Sequence, residues 1–251
     1  MKSIVITGAS AGIGAAIARR LGRDGNNLVL AARRAKELAG VAAESGTNAR
    51  TVVADVTRRE DVQRLRDATL DAFGSVDVWI NNAGRGITRS VLDLTDEDFD
   101  EMMRVNVKSA LYGMQVAAQH FLERGHGQII NVSSFLGRVP IAAHRSAYNA
   151  AKAALNALTA NLRADVAGKG VEVSLVMPGL VATEFARNVI GTASAVPPQW
   201  TANAAMKPQT ADEVADAVAD LIAHPRAEVY TNPASPEIAR RWFEQLDQLS
   251  S

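Results

Sequence analysis

Seven short aliphatic and β-branched runs recur along the chain, and longer segments of helical period separate them in all but one interval. This order restricts the fold to parallel βαβ units. The runs are Ser3 to Thr7, Asn27 to Ala31, Ala49 to Ala54, Val76 to Asn81, Gly127 to Ser133, Val171 to Met177 and Ala227 to Thr231. Right-handed crossovers place helices on both faces, so the expected class is α/β, a doubly wound parallel sheet with its ligand crevice at the strand carboxyl ends. One domain over residues 1–251 is expected, since no repeat or Pro/Gly linker divides the chain. The irregular stretch at about residues 184–208 carries Val189, Ile190, Val196, Pro197, Pro198, Trp200 and Met206, and its length predicts an apolar lid. Beyond it, Ile238, Trp242, Leu246 and Leu249 are spaced for an amphipathic helix at about 236–249, with Ser235 as N-cap and Pro236 in the first turn.

Composition removes several functions. The 27 basic and 27 acidic side chains balance, which leaves no cationic footprint for nucleic acid. Without cysteine there is no disulfide, thiolate nucleophile or thiolate metal site, and the 4 histidines have no metal-binding spacing, so no metal is expected. The Ile4–Ile6 run is too short for a secretory leader, and no apolar stretch reaches membrane-spanning length, so the expected location is cytoplasmic.

The first run leads into Thr7-Gly8-Ala9-Ser10-Ala11-Gly12-Ile13-Gly14 and then a helical segment. In this setting Gly8 permits a tight turn, Gly12 lets the backbone approach a pyrophosphate, and Gly14 lets the helix pack on the strand. The spacing is G-x-x-x-G-x-G, so context rather than the bare pattern carries the assignment. At the end of the second run, where an acid would accept a ribose hydroxyl, the chain has Ala31-Ala32-Arg33-Arg34. Two guanidiniums there favour a 2′-phosphate, hence NADP(H) over NAD(H), and one charge-assisted contact contributes ~1.5 to 3 kcal/mol. The alternative is a pair of solvated arginines opening a helix. Asp55-Val56 after the third run offers an acceptor and an apolar wall for adenine, or simply a helix cap.

Tyr148 and Lys152 stand four residues apart, on one helical face. An ammonium near the phenol would favour the phenolate and bring its proton exchange toward neutral pH. The fifth run ends in Ser133-Ser134, where a hydroxyl can supplement the phenol as a donor to a carbonyl oxygen. A serine hydrolase is disfavoured, for there is no nucleophile elbow and no paired histidine.

Taken together, Thr7-Gly8-x-x-x-Gly12-Ile13-Gly14, Asn81-Asn82-Ala83-Gly84, Asn106, Ser134, Tyr148-x-x-x-Lys152 and Pro178-Gly179-x-x-x-Thr183 resemble the short-chain dehydrogenase/reductase family over about residues 3–224. The resemblance implies a Rossmann-type fold in which Tyr148 gives or takes the proton, Ser134 orients the carbonyl, Lys152 binds the nicotinamide ribose and lowers the Tyr148 pKa, and Asn106 holds a water of the proton relay. It also implies that Gly8, Ser10, Gly12, Ile13, Gly14, Asn82, Ala83 and Gly84 line the cofactor and that Asn81 braces the sheet. Pro178, Gly179, Val181 and Thr183 would meet the nicotinamide, and Arg33-Arg34 resembles the NADP-preferring branch.

Three departures bear on this. The serine-to-tyrosine interval is one residue longer than the family pattern, which keeps Ser133 as a rival to Ser134. Ala11 stands where many NADP-dependent relatives place Lys or Arg, and the C-terminal helix replaces a Gly-rich ending. That helix would close the substrate pocket, cover a subunit or merely pack on its own sheet. The expected partners are a small, apolar carbonyl or alcohol substrate and further copies of the chain in a homo-oligomer, dimer or tetramer. Alternatives are an acyl-carrier-protein-linked 3-ketoacyl reductase, in which Arg85, Arg89, Arg138 or Arg145 grips the carrier, and a non-catalytic NADP-sensing protein.

Overall fold

Within the first strand, β1 (Ser3–Thr7), Ile4 and Ile6 pack into one layer of helices and Val5 into the other, so the whole run is buried. A parallel sheet covered on both faces requires such uninterrupted apolar strands. The computed structural model of the chain describes residues 1–183, 185, 189–191 and 207–245. Its further strands are β2 (Asn27–Ala32), β3 (Ala49–Val53), β4 (Val78–Asn81), β5 (Gly127–Val132), β6 (Val171–Met177) and β7 (Glu228–Tyr230). The helices are α1 (Gly12–Arg23), α2 (Ala35–Glu44), α3 (Arg59–Phe73), α4 (Asp96–Met103), α5 (Ser109–Arg124), α6 (Ser146–Asp165), α7 (Ala211–Ala223) and α8 (Ser235–Gln245).

The strands form one parallel, 7-stranded sheet in the order β3-β2-β1-β4-β5-β6-β7. Ile17 and Leu21 of α1, Leu38 of α2 and Val218 and Leu221 of α7 fill one face; Leu65 of α3, Met114 and Phe121 of α5 and Leu155 of α6 fill the other. The chain leaves β1 toward β2 and returns to β4 on its other side, which makes the β1/β4 junction the switch point where a crevice opens. Residues 7–14 and 82–84 flank that junction.

The strand readings hold with end corrections of one or two residues. β4 begins at Val78 rather than Val76, because Asp77 turns its carboxylate onto the Ser3 amide at 2.8 Å. The C-terminal helix begins at Ser235, one residue early. Ser235 is therefore not its N-cap: its buried hydroxyl has no hydrogen-bond partner, and the Asn232 side chain takes the preceding turn by accepting from the Ala234 amide at 3.0 Å. Leu246 and Leu249, like Val196, Pro197, Pro198, Trp200 and Met206, lie outside the described residues. Of the expected lid, Ile190 is described, and its segment pairs with residues 86–88 through Thr88 N–H to Ile190 O at 2.8 Å and Ile190 N–H to Gly86 O at 3.0 Å.

Candidate active site

At the switch point the glycine turn meets the segment after β4. Gly8 (φ +68°) and Gly12 (φ +55°) adopt left-handed backbone that side chains resist. A Cβ on Gly14 would lie 2.4 Å from the Gly8 carbonyl oxygen and 2.5 Å from Asn82 Nδ2, so only glycine lets α1 seat so close. Thr7 ties the two segments together: its hydroxyl accepts from the amides of Asn82 (3.0 Å) and Ala83 (3.1 Å), while Asn82 Nδ2 donates to Thr7 O at 2.9 Å.

α1 starts at Gly12 with no side-chain cap and no acid in its first turn. By contrast, a Thr210–Glu213 capping box closes the N-terminus of α7. The first amides of α1 thus remain available to an anion, with the positive end of the helix dipole behind them. Ile13 packs into the core below, and Thr183 lies above, 3.5 Å from where a Cβ on Gly12 would stand. At the far end of the turn Arg34 Nη2 donates to Ser10 Oγ at 3.1 Å, while its contact with Glu37 is loose at 3.7 Å.

Burial raises the Asp55 carboxyl, but the Thr57 hydroxyl and amide together with the charges of Arg33 and Arg104 outweigh it, so it titrates below the usual range. Val56 packs partly into the core. The glycine turn and the uncapped first amides of α1 suit a pyrophosphate, and the residues present fit a nicotinamide dinucleotide.

The second cluster forms where β5 ends and α6 passes. Ser134 lies close enough to the Tyr148 phenol to lower its pKa, and its hydroxyl accepts from the Leu136 amide at 3.2 Å. Ser133, the rival, is turned away: its hydroxyl donates to Asn156 Oδ1 at 2.5 Å. Lys152 is buried, and its ammonium donates to the Val132 carbonyl at 3.0 Å. A Cβ on Gly84 would stand 2.8 Å from Asn106 Oδ1 and 3.6 Å from Lys152 Nζ, which puts the Asn82-Ala83-Gly84 segment against both.

Asn106 sits in a π-helical turn, Arg104–Lys108, of the kind that often marks a functional site. Its carboxamide clamps the Arg85 main chain, accepting at 3.1 Å and donating at 3.0 Å. Asn81 braces as expected, donating to Asn131 Oδ1 at 2.8 Å and accepting from Trp79 Nε1 at 2.9 Å. Pro178 accepts from the Phe135 amide at 2.8 Å, Gly179 follows it, and Val181 bridges to Gln209.

The electrostatics differ from the expectation in one respect. Burial pushes the Tyr148 phenol above its ordinary value, against the neighbouring Ser134 hydroxyl and the charge of Arg145, which lower it. Arg145 is thus a positive charge acting on the phenol that the sequence reading did not place there. Lys152 Nζ stands 5.7 Å from the Tyr148 ring centre, drawn to the Val132 carbonyl, and burial lowers its own pKa to about 8. Sequence reasoning assigned Arg145 to an acyl carrier and missed its place beside Tyr148. The signal was its position three residues ahead of the tyrosine, one helical turn away.

Past Ser134, Phe135 and Val139 pack with Tyr230, Ile238, Ala239 and Trp242. The C-terminal helix α8 therefore covers the segment that carries Ser134. Among the described residues there is no cluster of metal-ligating side chains and no helix long and apolar enough to cross a membrane.

A glycine-lined turn at the switch point, with a serine, a tyrosine and a lysine gathered beyond it, defines a dinucleotide-dependent oxidoreductase as the class of protein. Comparison with known proteins makes this specific. A family model described as short chain dehydrogenase matches residues 2–193. An uncharacterized oxidoreductase of Staphylococcus epidermidis is 37% identical over 182 residues, 72% of this chain and 79% of that relative. A short chain dehydrogenase/reductase from Burkholderia phymatum in complex with NAD superposes with a TM-score of 0.88 at 30% identity, covering 99% of this chain and 95% of the other. An alcohol dehydrogenase from the archaeon Thermococcus sibiricus, complexed with 5-hydroxy-NADP, gives 0.79 at 30% identity, covering 92% and 96%. The chain belongs to the short-chain dehydrogenase/reductase family, oxidoreductases that act on alcohols and carbonyls with NAD(P).

Proposed function

We propose that this protein reduces a carbonyl compound with NADPH, and oxidises the corresponding alcohol with NADP+, using Tyr148 as general acid and base. The observation that carries the reading is the gathering of Tyr148 with Lys152, whose Nζ lies 5.7 Å from the phenol ring centre and beside Gly84 and Asn106, with Ser134 near enough to lower the phenol's pKa. The bound nicotinamide supplies the hydride for the carbonyl carbon. Ser134 and Tyr148 both present O–H donors to the carbonyl oxygen, which polarises it; as alkoxide character develops there, Tyr148 releases its proton to that oxygen. The phenolate left behind gains from the positive charge of Arg145. Lys152, with its pKa lowered to about 8, is a proton source matched to neutral pH.

NADP(H) is preferred over NAD(H) because Arg34 reaches over the glycine turn to Ser10 and no carboxylate stands at the end of β2. The carrier-linked reading finds less support. Arg85 contacts Glu101, and Arg89 and Arg138 are paired with Asp98 and Glu228, so these guanidiniums are already engaged, while Arg145 points inward beside Tyr148. NADPH absorbance with a panel of aliphatic and aromatic aldehydes and ketones is the test. Turnover of at least one carbonyl supports the reading. Tight NADPH binding with no oxidation across the panel would leave a cofactor sensor instead.

A further inference from the structure

Arg145 is unlike the other arginines around the site. It is partly buried, and burial lowers its pKa, with only the Tyr148 phenol opposing. Among the described residues no carboxylate pairs with it. Its Nη1 donates to the Ile87 carbonyl at 3.3 Å, which leaves the rest of its N–H fork without a protein partner among those residues. A desolvated guanidinium without a counter-ion is unfavourable, and proteins ordinarily pair it with a carboxylate.

The surroundings aim this cation at the reaction centre. Arg145 is the N-cap residue of α6, three positions ahead of Tyr148 in its first turn. The phenyl ring of Phe185 stacks obliquely on Tyr148, with ring centres 5.8 Å apart. Phe185 and Arg145 converge on Gly86, where a Cβ would lie 2.8 Å from the ring and 3.2 Å from Nη1. A phenol, a guanidinium and an apolar ring thus come together at one place, over a backbone stretch where a glycine leaves room for them.

Resting on the oxidoreductase reading above, we propose that the substrate is a short oxo- or hydroxy-carboxylic acid whose carboxylate is held by Arg145 while its carbonyl or hydroxyl oxygen meets Tyr148 and Ser134. A planar carboxylate matches the guanidinium fork. The acid's carbon chain lies against Phe185. This replaces the wholly apolar substrate expected from the lid composition with one that is apolar along its chain and anionic at one end. Reduction remains balanced: hydride to the carbonyl carbon, one proton from Tyr148 to its oxygen, and the carboxylate unchanged.

Matched pairs test this with the holoenzyme: 3-oxobutanoate against its methyl ester, and 4-oxopentanoate against its methyl ester, as kcat/KM with NADPH. One charge-assisted contact gives about ten- to a hundredfold preference for the acid. Arg145→Ala collapses the acid-to-ester ratio toward one, and Arg145→Lys restores part of it. A disturbance of Tyr148 or of the Ile87 contact acts on acid and ester alike and cancels in the ratio.

The inference is overturned if wild type turns over the ester as well as the acid, or if Arg145→Ala leaves the ratio unchanged. Reduction of other neutral carbonyls in that case shows that the oxidoreductase reading survives its loss. If NADPH binds and no carbonyl is reduced, calorimetry of 3-hydroxybutanoate with the NADP+ complex decides instead. Binding in wild type that drops at least tenfold in Arg145→Ala supports the carboxylate site, and equal or absent binding in both rejects it.

Discussion

Replacing Arg34 by alanine isolates the source of cofactor preference, because the structure gives this side chain little else to do. Its contact with Glu37 spans 3.7 Å between side chains 43% and 48% exposed, a solvent-screened pair that contributes between nothing and about 1 kcal/mol. Its other partner, Ser10 at 3.1 Å, belongs to the phosphate turn itself. Folding stability should therefore change by less than about 0.5 kcal/mol, as for an ordinary surface substitution. A 2′-phosphate bound at Arg34 loses a charge-assisted contact of about 1.5 to 3 kcal/mol, which weakens NADPH by roughly ten- to a hundredfold. NADH, lacking that phosphate, should keep its affinity within about twofold. Dissociation constants from quenching of protein fluorescence, alongside urea unfolding, read all three quantities. Equal losses for NADPH and NADH, or an NADPH loss below about threefold, refute the reasoning; Arg33 would then be examined in the same way.

Two further outcomes follow from particular contacts. Lys152 is buried, and its folded pKa of about 8 lies below its ordinary 10.5, so the folded state resists the charged form. Between those values the unfolded chain holds more protons, and stability rises with pH; below pH 8 the charged lysine costs up to about 3 kcal/mol. Lys152→Met, even after loss of the Val132 hydrogen bond, should be about 1 to 2 kcal/mol more stable than wild type at pH 7, with the gap narrowing between pH 8 and 10. A variant less stable at pH 7, or an unvarying gap, contradicts the sign. For Gly113→Ala, the new Cβ would stand 2.0 Å from Asn81 Oδ1 and 2.7 Å from Trp79 Nε1, separating α5 from β4. Urea titration should show a loss of about 2 to 4 kcal/mol, and an unshifted midpoint would disprove the close approach.

The frame was legible because its signals are local or periodic. Strands covered on both faces must be apolar throughout, and a glycine turn between a strand and a helix has few other uses. Strand ends were less legible: the β4 boundary is decided by the Asp77 carboxylate reaching the Ser3 amide, 74 residues away in sequence. The choice between Ser133 and Ser134 was open from spacing alone, since neighbouring residues at a strand end point to opposite sides. Asn156 and the Tyr148 phenol separate them only in three dimensions. The pairing of Tyr148 with Lys152 was visible as a helical interval, but the interval does not reveal that a strand carbonyl claims the ammonium. Nor does it show that the charge of Arg145 also acts on the phenol. Phe185 and Gly86, both needed to define the space beside Tyr148, come from separate segments and carry no pattern of their own.

Steady-state turnover and NADPH affinity of Tyr148→Phe, measured together on the best carbonyl substrate, bear most directly on the proton-transfer role. The phenyl ring preserves packing against Phe185 and removes the one proton the mechanism uses, so affinity should hold within about threefold while kcat falls by about 10² to 10⁴. A variant that retains more than a tenth of wild-type turnover would contradict the assignment.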